Sequence, residues 1–133
     1  LTKELKYPNG VELSPDEKTL YVAQSDPDNP IVMAYPIEKD GTTGKGKLLF
    51  DAKPHSHLGG GNPDGLKVDQ NGNLWITGMG GVMVVSSKGR FLGQISTGEL
   101  TANCAWGGDG SVLYITADTY LCRIQTQVKG RGF

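Results

Sequence analysis

Three stretches of this chain repeat one another: Tyr7 to Ala23 (YPNGVELSPDEKTLYVA), Asn62 to Thr77 (NPDGLKVDQNGNLWIT) and Thr101 to Thr116 (TANCAWGGDGSVLYIT). Each runs from a polar residue through an apolar alternation to a turn. Each then reaches a Leu-aromatic-β-branched triplet: Leu20-Tyr21-Val22, Leu74-Trp75-Ile76 and Leu113-Tyr114-Ile115. Self-similarity of this kind commits a chain to a repeat architecture, because a single unit has nothing of its own against which to bury its apolar face. Period-2 patterning at Val11 and Leu13, and again at Leu66 and Val68, makes the units strands rather than helices. Two-residue hairpin turns are predicted at Asn71-Gly72 and Asp109-Gly110, and a turn at Pro15 to Lys18. Composition agrees, since 20 glycines and 7 prolines among 133 residues provide many tight turns without reaching the ~25–30% typical of low-complexity chains.

A third strand is expected in every unit, at Ile31 to Ile37, Val82 to Ser86 and Tyr120 to Gln125. A fourth closes the first two, at Lys47 to Phe50 and Phe91 to Ile95, whereas nothing after Gln127 resembles one. Four antiparallel strands per ~40 residues describe a β-propeller blade. The expected fold is therefore all-β, a single partial β-propeller domain over residues 1–133 with blades at about 7–52, 62–97 and 101–127. The excess length of the first unit falls in the polar stretch Lys53 to Gly61, read as a loop. Propellers close with about four to eight blades, so three units form an arc whose terminal faces need cover. Leu1 to Leu5 are expected to lend a strand to a preceding blade.

Thirteen basic and fourteen acidic residues leave a net charge of -1, which gives no electrostatic footprint for nucleic acid or anionic lipid. No apolar run approaches the ~18 residues of a membrane span. Cys104 and Cys122 fall on the first and third strands of one blade, two strand spacings of ~4.8 Å apart. That exceeds the ~7 Å a disulfide can bridge, so both thiols are expected to be unpaired and buried. Trp75 and Trp106 read as core residues. Gly59-Gly60-Gly61 lacks the lysine and following helix of a phosphate loop, and no G-x-S-x-G nucleophile elbow occurs.

The PNG of Pro8 to Gly10 with SPDEKTLYVA, the PDG of Pro63 to Gly65 with KVDQNGNLWIT, and NCAWGGDGSVLYITA at Asn103 to Ala117 carry a resemblance. They resemble the senescence marker protein/gluconolactonase/luciferin-regenerating family, most strongly its bacterial gluconolactonase-like members. The similarity runs over nearly the whole chain and corresponds to the carboxy-terminal half of that family's six-bladed ring. It implies a metal-dependent hydrolase that opens sugar lactones, with one divalent ion on the ring axis held by Asn, Asp and Glu side chains. On that pattern Asn9 and Asp64 are metal ligands and Asp64 is also the catalytic carboxylate. The family's Glu and a further Asn fall outside the matched region. Oxygen donors suit hard cations, so Ca2+ leads, with Mg2+, Mn2+ and Zn2+ as alternatives. Such an ion polarises a lactone carbonyl and acidifies water.

The bland reading of Asn9 and Asp64 is turn punctuation, since each precedes a glycine. Asn103 is taken to stand at the equivalent place in the third unit, although Cys104 follows it, and is assigned to substrate binding, with turn stabilisation as the alternative. His57, in the H-x-H pair with His55, is a second substrate-contact candidate; its alternative is a solvated loop histidine. Gln24 stands where many relatives carry Asp or Asn, and so belongs to the pocket wall. The expected partners are a small-molecule lactone and either the amino-terminal half of the propeller or a second copy of this chain. The competing functions are a non-catalytic propeller fragment or binding domain, and a related metal-dependent aryl esterase. Bacterial relatives are often exported, which suggests a periplasmic or secreted protein, with the cytoplasm as the alternative.

Overall fold

The computed structural model describes residues 2–133. Eleven strands form three antiparallel sheets. The first sheet joins β1 (Pro8–Leu13), β2 (Thr19–Gln24), β3 (Ile31–Pro36) and β4 (Lys47–Asp51) in chain order. The second joins β5 (Leu66–Val68), β6 (Leu74–Gly78), β7 (Gly81–Val85) and β8 (Phe91–Ser96) in the same way. The third has three strands, β9 (Thr101–Gly107), β10 (Val112–Ala117) and β11 (Tyr120–Gln125). The first strands lie innermost, with β5 touching β1 on one side and β9 on the other. Three meanders with their first strands gathered at an axis are consecutive blades of a β-propeller, as the repeat predicts. Residues 2–5 form no strand here.

The turns between the first two strands of each unit are longer than two-residue hairpins, and a carboxylate shapes each of them. Asp16 accepts from the Ser14 hydroxyl at 2.7 Å and the Lys18 amide at 3.2 Å. Asp109 accepts from the amide of Ser111 at 3.1 Å. Asp69 is fully buried and accepts from the amides of Asn71 and Asn73, from Asn73 Nδ2 and from Trp75 Nε1, all at 2.9–3.1 Å. A buried carboxylate is tolerable only when its lone pairs are filled in this way. Asp69 thereby fixes both the turn and the adjacent indole.

Alternation divides every sheet into two faces. The face of the first sheet bearing Tyr21, Ala23, Val32 and Phe50 packs on Leu66, Val68, Leu74, Ile76, Met83 and Val85 of the second. The opposite face of the second sheet, with Trp75 and Val82, packs on Cys104, Leu113 and Ile115 of the third. Trp75 is buried in the core and meets Trp106 edge-on at 5.1 Å between ring centroids, with Trp106 half-buried against the same cluster. Cys104 and Cys122 both pair with Ile115 from opposite sides, so β10 separates them and both are free thiols. Cys104 is buried and its thiol is pushed up to about 12 by desolvation; Cys122 is only half-buried.

After β11 the chain turns back across the far ends of the inner strands instead of adding a fourth strand to its own sheet. The Gln70 amide donates to Lys129 O and the Arg131 amide to Val68 O, each at 2.9 Å. The Gly130 amide donates to Gly110 O at 2.9 Å, and Arg131 Nε donates to Ser14 O at 3.0 Å. Arg131 also pairs with Glu17 and lies 3.6 Å from Glu12. This strap therefore ties all three units together. Its Gly130 lies so close to Trp106 that a Cβ would sit 2.1 Å from the indole Cγ.

Gly130→Ala is expected to cost about 1–3 kcal/mol through overpacking, and Arg131→Ala about 1–3 kcal/mol through its lost charge-assisted bonds. Urea unfolding followed by tryptophan fluorescence measures both, and unchanged midpoints would contradict the role given to the strap. In the native protein a thiol reagent should label Cys122 and leave Cys104 unmodified until unfolding.

Candidate functional site

At the end of the sheets opposite the turns, the inner strands of neighbouring units come close enough to hydrogen-bond. The Gly10 amide donates to Asp64 O at 2.8 Å, and the Gly65 amide donates to Ala102 O at 2.9 Å. Both glycines are required by this approach. A Cβ on Gly10 would lie 2.2 Å from Asp64 O, and one on Gly65 would lie 2.3 Å from Asn103 Oδ1. Thr77, fully buried, sets its Oγ1 3.1 Å from Gly65 O and 2.9 Å from Ala102 O, binding the second and third units at the same level. The rim is a continuous backbone seam, with Asn9 and Asp64 beside one another on it.

The Asp64 carboxyl is raised above its ordinary value because partial burial outweighs the hydrogen bond it receives from the Asn9 side chain. Only the Asn9 amide nitrogen can be the donor in that bond. The same nitrogen donates to Ser25 Oγ at 3.2 Å, and Ser25 Oγ donates to Pro63 O at 2.7 Å. The Asn9 side chain is thus anchored through its amide nitrogen, and its carbonyl oxygen accepts no hydrogen bond among the described residues. Asn9 is exposed and Asp64 half-buried, so both are accessible. No group of three His, Cys, Asp or Glu residues capable of holding a metal ion occurs among the described residues.

Asn103 does not take the place that identity alone gives it. Gly65 stands beside Thr77 in the second unit, and Asn103 pairs with the corresponding Thr116 in the third. Asn103 is therefore the counterpart of Gly10 and Gly65, and Ala102 is the counterpart of Asn9 and Asp64. The turn between Trp106 and Leu113 is one residue longer than that between Val68 and Leu74, which produces the one-residue offset. Asn103 remains on the rim, exposed, with its Oδ1 accepting from the Cys104 amide at 2.9 Å. Its Nδ2 is thereby left to face solvent or a ligand.

The stretch Lys53–Leu58 is a short 3-10 helix rather than a loop, with Pro54 in its first turn. Its two histidines have different surroundings. His55 stacks on Phe50 at 5.3 Å and on Phe91 at 4.3 Å between ring centroids. His57 is exposed, its Nδ1 3.1 Å from Pro54 O. Gln24 is a buried tether, accepting from the Lys6 amide at 2.9 Å and donating to Asn29 O at 2.8 Å, and does not line the site.

A family profile described as SMP-30/Gluconolactonase/LRE-like region matches residues 1–119. The chain belongs to this family. Among its relatives is a gluconolactonase of Zymomonas mobilis, 35% identical over 130 residues, which cover 95% of this chain and 36% of that protein. A solved gluconolactonase from Xanthomonas campestris superposes with a TM-score of 0.77 at 32% identity, covering 95% of this chain and 38% of that one. A calcium-binding regucalcin from Agrobacterium tumefaciens shares the fold, with a TM-score of 0.75 at 21% identity, covering 98% and 48%. The chain thus spans between about a third and a half of these SMP-30/gluconolactonase/LRE-like proteins.

Gly10→Ala should displace the Asp64 carbonyl and cost about 1–3 kcal/mol, read as a lowered melting temperature. His55→Ala should cost about 1–2 kcal/mol through its two stacked contacts, whereas His57→Ala should stay within about 0.5 kcal/mol. Equal effects of the two histidine changes would contradict the division between them.

Proposed function

We propose that this chain carries part of the active site of a metal-dependent lactone hydrolase, with sugar lactones as the substrate class. The observation that carries this reading is the adjacent pair Asn9 and Asp64 on the inner rim of a gluconolactonase-family propeller. Asn9 offers a free carbonyl oxygen, and Asp64 a half-buried carboxylate whose ionised form lacks full compensation. This is an oxygen donor pair of the type that hard cations accept, and a carboxylate pushed up by burial gains most from a nearby positive charge. Asn9 and Asp64 would supply two ligands to one divalent ion, Ca2+ first, with the remaining ligands coming from the rest of a completed ring. When bound, such an ion would polarise the lactone carbonyl and stabilise the oxyanion.

The protein's own groups then divide the work. Asp64 accepts the proton of water as the water oxygen bonds to the lactone carbonyl carbon, then gives that proton to the ring oxygen as the ring C–O bond breaks to release the hydroxy acid. Asn9 stands beside the Asp64 carboxylate with its amide nitrogen held by Ser25. Asn103, with its Oδ1 occupied by a backbone amide, presents Nδ2 as a donor to a substrate hydroxyl. With Nδ1–H donating to Pro54 O, His57 presents Nε2 as an acceptor.

Asp64→Asn tests this reading. Divalent-ion binding by calorimetry should weaken about 10–100-fold or more, and hydrolysis of a δ-lactone should be lost while the fold is retained. The folded state holds the Asp64 proton more tightly than the unfolded chain does, so ionisation of Asp64 opposes folding at neutral pH. The Asn variant should therefore melt no lower than the parent in metal-free buffer at pH 7. In the metal-free protein Asp64 should titrate above the ordinary 3.8, read as a chemical-shift titration, and its protonation should release the ion and with it activity. Unchanged ion binding in the Asn variant would refute the ligand assignment; preferential cleavage of an aryl ester would move the substrate class.

A further inference from the structure

Ser25 follows β2 directly, and its backbone is fixed there. Its amide donates to Tyr7 O at 3.0 Å, and Gln24 before it pairs with Pro8. Ser25 is therefore held beside the start of β1, where the first unit meets the second. Its hydroxyl makes two contacts at this place: Oγ lies 2.7 Å from Pro63 O, and Asn9 Nδ2 lies 3.2 Å from Oγ. Pro63 belongs to the second unit and immediately precedes Asp64, whose own amide donates to Thr77 O at 3.0 Å. One hydroxyl thus joins the side chain of one rim residue to the backbone that carries the other.

The direction of hydrogen bonding through this hydroxyl is set at its Pro63 end. A carbonyl oxygen only accepts, and Pro63 is buried with no other donor to its oxygen among the described residues. Leaving that oxygen unpaired would be costly, so the Ser25 proton goes to it. A hydroxyl has one proton, and toward Asn9 it then offers only lone pairs. The Nδ2 end of the Asn9 amide can meet a lone pair. The reversed amide would set Oδ1 against Ser25 Oγ, oxygen to oxygen with no proton between them. The amide is therefore held in one of its two orientations, with its carbonyl oxygen as the end left free.

The second unit lacks this contact. Val22 pairs with Val11 as Ile76 pairs with Leu66, so the residue in the place of Ser25 is Met79. Met79 is buried and has no hydroxyl, and the rim residue of its unit is Asp64, whose two carboxylate oxygens are equivalent. An amide has a right and a wrong end toward a cation, and a carboxylate does not. The hydroxyl stands in the unit whose rim residue has two unlike ends.

We propose that Ser25 is the positioning residue that makes Asn9 an oxygen donor. With its proton given to Pro63 O, it accepts from Asn9 Nδ2 and leaves Asn9 Oδ1 as the end presented to an ion. This rests on the ligand role of Asn9 proposed above; Ser25 itself touches neither ion nor substrate. The Asp64 carboxylate cannot hold the amide in its stead, since as the second ligand it is taken by the ion. Without Ser25 the amide turns about its Cβ–Cγ bond, and half of its orientations point N–H protons at the cation, a repulsive arrangement.

The test uses the 133-residue chain, first without metal. Solvent exchange of the Asn9 Nδ2 protons, followed by nuclear magnetic resonance, should quicken about threefold or more in Ser25→Ala, the loss of one ordinary hydrogen bond. It should return to the parent rate in Ser25→Thr, which keeps the hydroxyl, with circular dichroism showing both variants folded. Unchanged exchange in Ser25→Ala would overturn the proposal. Ca2+ binding by calorimetry should weaken about tenfold in Ser25→Ala and recover in Ser25→Thr. In an Asn9→Asp background both ends of the side chain are oxygen, and there Ser25→Ala should leave Ca2+ affinity within about twofold. An equal loss in both backgrounds would mean that Ser25 acts only through the packing of the rim, and would overturn its orienting role. A parent chain that binds no Ca2+ would count against the Asn9–Asp64 ligand assignment, and the exchange rates alone would then decide the orientation.

Discussion

No unit of this chain can bury both faces of its own sheet, and the architecture follows from that constraint. A four-stranded meander with apolar residues on both faces needs a neighbour on each side. The middle unit has two, and its Leu66, Leu74, Ile76, Val82 and Met83 are fully buried. Burial of each such side chain is worth about 1.5–3 kcal/mol, so stacking outweighs anything a single sheet gains from its own ladders. Everything else serves the stacking: the glycines that let the rims meet, the Thr77 hydroxyl between two carbonyls, and the strap that crosses the inner strands.

The rim shows how packing and chemistry share the same residues. Close approach of β1, β5 and β9 demands glycine at positions 10 and 65, and the residues before them, Asn9 and Asp64, are thereby set side by side. The raised Asp64 carboxyl follows from that juxtaposition in a partly dehydrated place. The polar pair is thus positioned by the backbone contact that holds the blades together.

Much of this was legible in the sequence because it rests on period-2 alternation and on the recurring aromatic triplet. Leu20-Tyr21-Val22 and its two counterparts locate the second strand of every unit, and the missing fourth strand after Gln127 is visible as missing apolar alternation. Counting back from the triplet misplaces Asn103 because the turn before Leu113 is one residue longer than the turn before Leu74; the signal is the glycine shared by positions 10 and 65, which Asn103 replaces. The 3-10 helix at Lys53–Leu58 escaped because its half-buried face is only His55 and Leu58, too short a pattern to read. Asp69 passed for an ordinary turn acid, since its four donors assemble only once Trp75 folds over it. Gln24 lies one residue beyond the triplet, and its partners are supplied by the backbone of Lys6 and Asn29.

The strap also bears on the order in which the molecule comes together. Sheet pairings here are between chain neighbours and can form as the polypeptide emerges, whereas the Arg131–Ser14 bond joins residues 117 positions apart. Closing so long a loop is entropically slow and comes after local structure. Three meanders can therefore stack while their far ends are still unfastened. The strap then acts as a latch, closing on an arc that is already stacked.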